Sequence, residues 1–156
     1  MISFTNETTY RAYWQNLALT VDGIDAFKYG DQDAKNNSAR SGSNAGYTLW
    51  VDPLPVISGE GEVDGLCGTA LCEFVIKTPS NTKKDTLIQQ ETKKAACSAL
   101  IIAVFKQIKA DFNTGNMGTI PELARLKFGT TDPIVLGGTT FVACAAELPF
   151  TIPLDL

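Results

Sequence analysis

The sequence predicts an α+β fold: a mostly antiparallel sheet, one long helix packed across it, and a short N-terminal amphipathic helix. Three observations carry this reading. Residues Thr82 to Phe112 contain neither Gly nor Pro, so about 30 residues can run as one helix of about 45 Å. After Gly137-Gly138 the even positions Val142, Cys144, Ala146, Leu148, Phe150, Ile152 and Leu154 are all apolar, the period of a strand with one buried face. The strand-like runs follow one another instead of alternating with helices, which favours antiparallel pairing with the helices grouped. The chain has 156 residues, 44% hydrophobic and 19% charged. That fits a single domain, 1–156, able to bury about two thirds of its unfolded surface without disulfides.

In chain order, Tyr10, Tyr13, Trp14, Leu17 and Ala18 fall at helical spacing from about Thr5 onward, an aromatic core stripe. Asp22-Gly23 signals a turn before a strand at Ala26–Tyr29. Residues 30–46 hold no large apolar side chain and read as a polar loop or arm. Tyr47–Val51 is the next strand, ended by Asp52-Pro53-Leu54-Pro55, where two prolines forbid regular pairing. A Gly-rich acidic loop at 58–68 leads to a strand at Thr69–Thr78, with Cys72, Phe74, Ile76 and Thr78 facing inward and Leu71, Glu73, Val75 and Lys77 outward.

Thr82 and Asp85 form a start signal for the long helix, and Asn113-Thr114-Gly115 its stop. At 100° per residue, Leu87, Cys97, Ile101, Val104, Phe105, Ile108 and Phe112 share one stripe, the predicted core face. Ala95, Ala96, Ala99 and Ala103 gather on the far side, and no charge occurs from Ala95 to Phe105. Alanine there serves helix propensity alone, or it lets a second helix or a neighbouring subunit come close to the backbone. Beyond the helix, Ile120–Ala124 reads as one helical turn and Arg125–Phe128 as a half-wet strand. Pro149 and Pro153 put the far half of the terminal strand at a sheet edge or outside the domain, so Phe150 and Ile152 are expected to meet something beyond their own core.

Several chemistries are set aside by what is missing. With no histidine in the sequence, His-containing triads and most catalytic zinc sites are excluded. Cys67, Cys72, Cys97 and Cys144 form no Cys-x-x-Cys pair and read as buried thiols. Asp31-x-Asp33-x-Lys35 fails the calcium-loop pattern, and Gly59, Gly61, Gly65 and Gly68 match neither nucleotide-loop spacing. No metal or cofactor is therefore expected. The opening MISFTNETTYRAYW has neither a basic start nor an apolar stretch, and no apolar run reaches membrane-spanning length; no membrane association is expected, and a cytoplasmic setting is. Net charge is −4, which does not favour nucleic acid. Residues 83–112 alone carry net +3, leaving −7 for the remainder. This segregation suits complementary patches between subunits, with Lys106 on the helix and Glu60, Glu62 and Asp64 on the acidic loop as candidates.

The amphipathic N-terminal helix, the aromatic strands FKYG and YTLWVDPLP, the LCEFVIKT strand before the long helix and the terminal FVACAAELPFTIP resemble the tail-terminator, tail-completion and head-to-tail neck proteins of long-tailed bacteriophages. The resemblance spans nearly the whole chain as a pattern of elements. It implies a non-catalytic virion subunit that assembles as a homo-oligomeric ring, commonly a hexamer, against other tail or neck proteins. The expected interface residues are then Ala95, Ala96, Ala99, Ala103, Lys106, Glu60, Glu62, Asp64, Phe150 and Ile152. Two readings of other classes stand beside it. One is a ligand-binding or regulatory domain with Tyr10, Trp14 and Trp50 lining a pocket. The other is a His-free enzyme using Asp52, Glu60, Glu62, Asp64 or Glu73 as acid, base or metal ligands.

Overall fold

The structure is a computed structural model that describes residues 1–31, 34, 46–60, 67–81 and 83–154. The loop at 30–46 and residues Glu62, Asp64 and Thr82 therefore fall largely or wholly outside the described residues, as does the Glu60 side chain.

The α+β architecture is as predicted. Helix α1 spans Glu7–Thr20 and buries Tyr10, Tyr13, Trp14, Leu17 and Ala18, the five residues of the sequence stripe. Asn6 caps it by accepting from the Thr9 N–H at 2.9 Å, which satisfies one of the free amides of the first turn. Helix α2 spans Leu87–Asn113, about 40 Å at 1.5 Å per residue. The remaining elements are β1 (Ala26–Tyr29), β2 (Thr48–Val51), β3 (Ser58–Glu60), β4 (Cys67–Pro79), β5 (Ile120–Pro121), β6 (Lys127–Thr130), β7 (Ile134–Leu136) and β8 (Thr139–Pro153). Among the described residues these strands form one sheet, ordered β1-β2-β4-β8-β5, with β3 added to β4 and β6 and β7 added to β8.

The frame of the sheet is the antiparallel ladder between β4 and β8, which pairs every position from Cys67↔Pro153 to Pro79↔Phe141. Because the side-chain period of a strand is two, this register puts Cys72, Phe74 and Ile76 on the same face as Leu148, Ala146 and Cys144. Both helices cover that face: Trp14 packs at a tilt on Phe74, and Phe74 meets Phe105 edge to face, at centroid distances of 4.8 and 5.8 Å. The far half of β8 accordingly stays inside the domain. Phe150 and Ile152 are fully buried in the shared core, so their expected role as subunit contacts is corrected. Pro149 causes no break because its carbonyl accepts from the Glu122 N–H. In an antiparallel strand N–H and C=O of one residue point the same way, so the missing donor faces the side where β5 has ended, away from β4.

Other boundaries shift for local reasons. α2 begins at Leu87, capped by Thr86 in a reciprocal capping box with Gln89; the spacing equals that of Thr82 and Asp85, but Gln is the side chain that such a box uses at its third position. Asp85 instead accepts from Ser80 Oγ and Lys93 Nζ, both at 2.7 Å, and Lys93 also donates to the Pro79 carbonyl. These contacts tie the end of β4 to the helix. α2 ends with Gly115 at φ +75 and the paired bonds Gly115 N–H to Phe112 O and Asn116 N–H to Asp111 O, a Schellman closure. Leu87 and Phe112, placed by sequence on the core stripe, lie beyond the sheet and are solvent-exposed. Ile120–Ala124 forms the short β5 and then a 3₁₀ turn at Leu123–Arg125, not one helical turn. Gly137 and Gly138, at φ +55 and +84, make the two-residue hairpin turn that joins β7 to β8. β1 pairs with β2 in parallel, the exception to the antiparallel pairing of the other strands.

Candidate functional site

Two surfaces remain after the core is assembled: the outer face of α2 and the helix-free face of the sheet. The buried residues of α2 are Cys97, Ile101, Val104, Phe105 and Ile108. Diametrically opposite, at 100° per residue, run Ile88, Thr92, Ala95, Ala99, Ile102 and Lys106. Ala95, Ala99 and Lys106 are exposed, and Ile88 and Ile102 are 75% and 41% exposed. Ala96 and Ala103 sit on the flank and are half-buried, Ala103 against the core. The alanine group therefore divides: two residues help seat the helix and two face outward. The outward stripe is uncharged from Thr92 through Ile102 for about 15 Å and closes with Lys106 and Lys109, both exposed.

On the sheet, the register sets up a second arrangement that sequence spacing could not show. Asp52 follows β2, and its N–H donates to the Glu73 carbonyl at 3.0 Å. Glu73 pairs with Glu147, and Glu147 pairs with Lys127. One transverse row across the helix-free face thus reads Asp52, Glu73, Glu147, Lys127, three carboxylates to one ammonium. Like charges directly opposite each other destabilise a ladder; here Lys127 stands opposite Glu147, and Glu73 has a further interaction of its own. Beside the row opens a cleft of about 250 Å³ whose wall includes Trp50, Val75, Ile134, Leu136 and Ala145. Leu71 and Ile120, further along the same face, are 42% and 38% exposed.

Lys77 lies at the other end of the cleft. Sequence alternation put it on a wet face, yet it is buried, its ammonium 4.9 Å from the Trp50 ring centroid and 4.4 Å from that of Phe141. The face is right and the solvation is not: two aromatic rings from neighbouring strands enclose the cation and stabilise it by cation–π attraction. Lys28, Trp50, Asp52, Glu73 and Lys77 all carry further interactions, so none is without a partner.

The pocket expected from Tyr10, Trp14 and Trp50 does not form. Tyr10 and Trp14 belong to the core under α1, whereas Trp50 is on the other side of the sheet, donating its indole N–H to the Gly30 carbonyl at 2.9 Å. Burial raises the Tyr10 hydroxyl well above its ordinary pKa, with the Cys72 thiol beside it adding to the effect. Cys72 and Cys97 are themselves pushed up to about 12 by burial, which disfavours the thiolate that a nucleophile needs at neutral pH. Of the acidic candidates, Asp52 and Glu73 come together. Glu60 pairs through its backbone with Cys67, and Glu62 and Asp64 lie outside the described residues. Glu147, the missed third member, was visible only as an outward position of the terminal strand. Among the described residues no group of three or more His, Cys, Asp or Glu side chains is arranged to hold a metal ion, and no helix is long and apolar enough to cross a membrane. No protein family matches the chain, and no curated protein matches it.

Proposed function

We propose that this chain is a non-catalytic structural subunit that assembles as a homo-oligomeric ring, of the kind that long-tailed bacteriophages carry at the tail end or the head-to-tail neck. The carrying observation is the outer stripe of α2, where Ile88, Ala95, Ala99 and Ile102 stand in solvent on a helix whose opposite side already fills the core. A helix apolar on two sides is normally covered on two, and the small residues at its middle let a partner approach the backbone. The sequence resemblance to tail-terminator and neck proteins supports the same reading. The virion location, neighbouring tail proteins and hexameric order belong to this proposal. Multi-angle light scattering over a wide concentration range tests it. A mass several times 16.8 kDa that persists on dilution is expected; a monomer at every concentration overturns it.

A second reading is favoured by the cleft at Trp50, Val75, Leu136 and Ala145, which has an apolar floor and charged groups at both ends, the usual composition of a small-molecule site. A metabolite screen by tryptophan fluorescence tests it, with a saturable shift expected. No shift with any ligand class removes it.

A further inference from the structure

We infer that the outer stripe of α2 is self-complementary and seats the same helix of a second copy, antiparallel about a two-fold axis that passes between Ser98 and Ala99. The stripe differs at its two ends in both charge and bulk. Glu91 is the acid near its start, Lys106 and Lys109 are the bases near its end, and all three are exposed. Among the described residues none of the three takes part in an ion pair. Inside them stand the small Ala95 before the axis and the large Ile102 after it, both exposed. Glu91 and Lys106 lie equally far before and after the axis, and so do Ala95 and Ile102. One antiparallel register therefore sets acid against base and large against small at once, and the symmetry repeats each pair. Ile88 comes level with Lys109, whose methylene stem can cover it. At 100° per residue Glu91, Ala95 and Ile102 lean to one flank of the stripe, and a two-fold of this kind brings like flanks together. A parallel apposition would instead set Lys106 on Lys106 and Ile102 on Ile102. Exposed ion pairs contribute little by themselves, up to about 1 kcal/mol each. Their part is to select the antiparallel register, while apolar burial between closely approaching backbones supplies the affinity. A self-complementary patch closes at the pair, so a ring that uses this contact is a ring of pairs. The contact goes beyond the ring reading and does not rest on it.

Charge reversal with exchange tests the register. Glu91→Lys alone and Lys106→Glu alone are each expected to weaken pairing by about tenfold or more in sedimentation velocity, because a two-fold repeats every clash. Both reversals in one chain, or the two single variants mixed, set acid against base again at both ends and are expected to recover wild-type association. Circular dichroism and melting of each variant check that these exposed positions leave the subunit folded. A second measurement does not depend on charge. In a Cys67→Ser background, which leaves only the three buried thiols, Ala95→Cys is expected to cross-link to Ile102→Cys in a mixture under mild oxidation. Neither should cross-link to itself, since the like positions lie about 10 Å apart along the helices. Single reversals that associate as the wild type does, a double reversal that recovers nothing, no cross-link in the mixture, or self-cross-linking of Ala95→Cys each overturn the two-fold contact while the ring reading stands. A wild type that stops at twice 16.8 kDa supports the contact and overturns the ring. A wild-type monomer at every concentration overturns both.

Discussion

At the scale of single residues, the side chains that departed from expectation did so because of partners distant in sequence. Lys77 has the spacing of an outward residue, and only the placement of Trp50 on β2 and Phe141 on β8 encloses it. Asp85 was read as a helix-start acid and became a clamp between β4 and α2. Its carboxyl is held below the ordinary aspartate range, first by the hydrogen bond from Lys93 and then by that from Ser80. A depressed pKa in the folded state contributes stability that is complete above the unfolded value of about 3.9 and is lost as pH falls through the folded value. Denaturation curves of wild type and Asp85→Asn are therefore expected to differ from about pH 5 upward and to converge as pH falls through the depressed folded value. Curves that stay apart in acid would assign the difference to packing at this position and not to its charge.

At the scale of elements, helix and strand identity was largely legible, and the reason is burial of one face. α1 and the centre of α2 carry apolar residues at the helical period, and β4 and β8 at the period of two, because each lays a single side against one core. Ends were less legible, since caps are decided by a few local hydrogen bonds. Thr86 supplies the hydroxyl that accepts from the Gln89 N–H at 3.2 Å, while Gln89 Oε1 accepts from the Thr86 N–H at 2.8 Å. Thr86→Ala removes the first of these and should cost about 1 kcal/mol of stability, measured by urea denaturation. Thr82→Ala, at the position that sequence reading favoured, should change stability by less than half as much. β3 and β7 were missed outright. Three residues each, they have no readable period and exist as additions to the edges of β4 and β8.

At the scale of the whole molecule, one sheet has its helices on one face and an acid-bearing cleft on the other. Such a subunit presents two unlike surfaces, and the proposed assembly uses the outer face of α2. Ala99 is the sharpest single test because it is exposed in the subunit. Ala99→Glu is expected to leave the melting temperature and circular dichroism of the subunit unchanged and to abolish assembly, read by light scattering. Unchanged assembly would mean that the outer face of α2 is solvent surface in the functional form. Of the candidate site, the sequence made the helix half visible: alanines opposite a core stripe, and lysines concentrated against a net acidic remainder. The sheet half was not visible, because Asp52, Glu73, Glu147 and Lys127 lie tens of residues apart and become a row only when four chain segments settle into register.

What the sequence by itself determined is which segments are helix or strand and which side of each turns inward, because both follow from repeat distances of a few residues and the free energy of burying apolar surface. What only the tertiary structure decided is how those segments meet: the parallel β1–β2 pair, the enclosure of Phe150, Ile152 and Lys77, and the acidic row facing away from the helices. These depend on strand order and register, which are set by contacts between residues far apart along the chain and leave no local pattern to read.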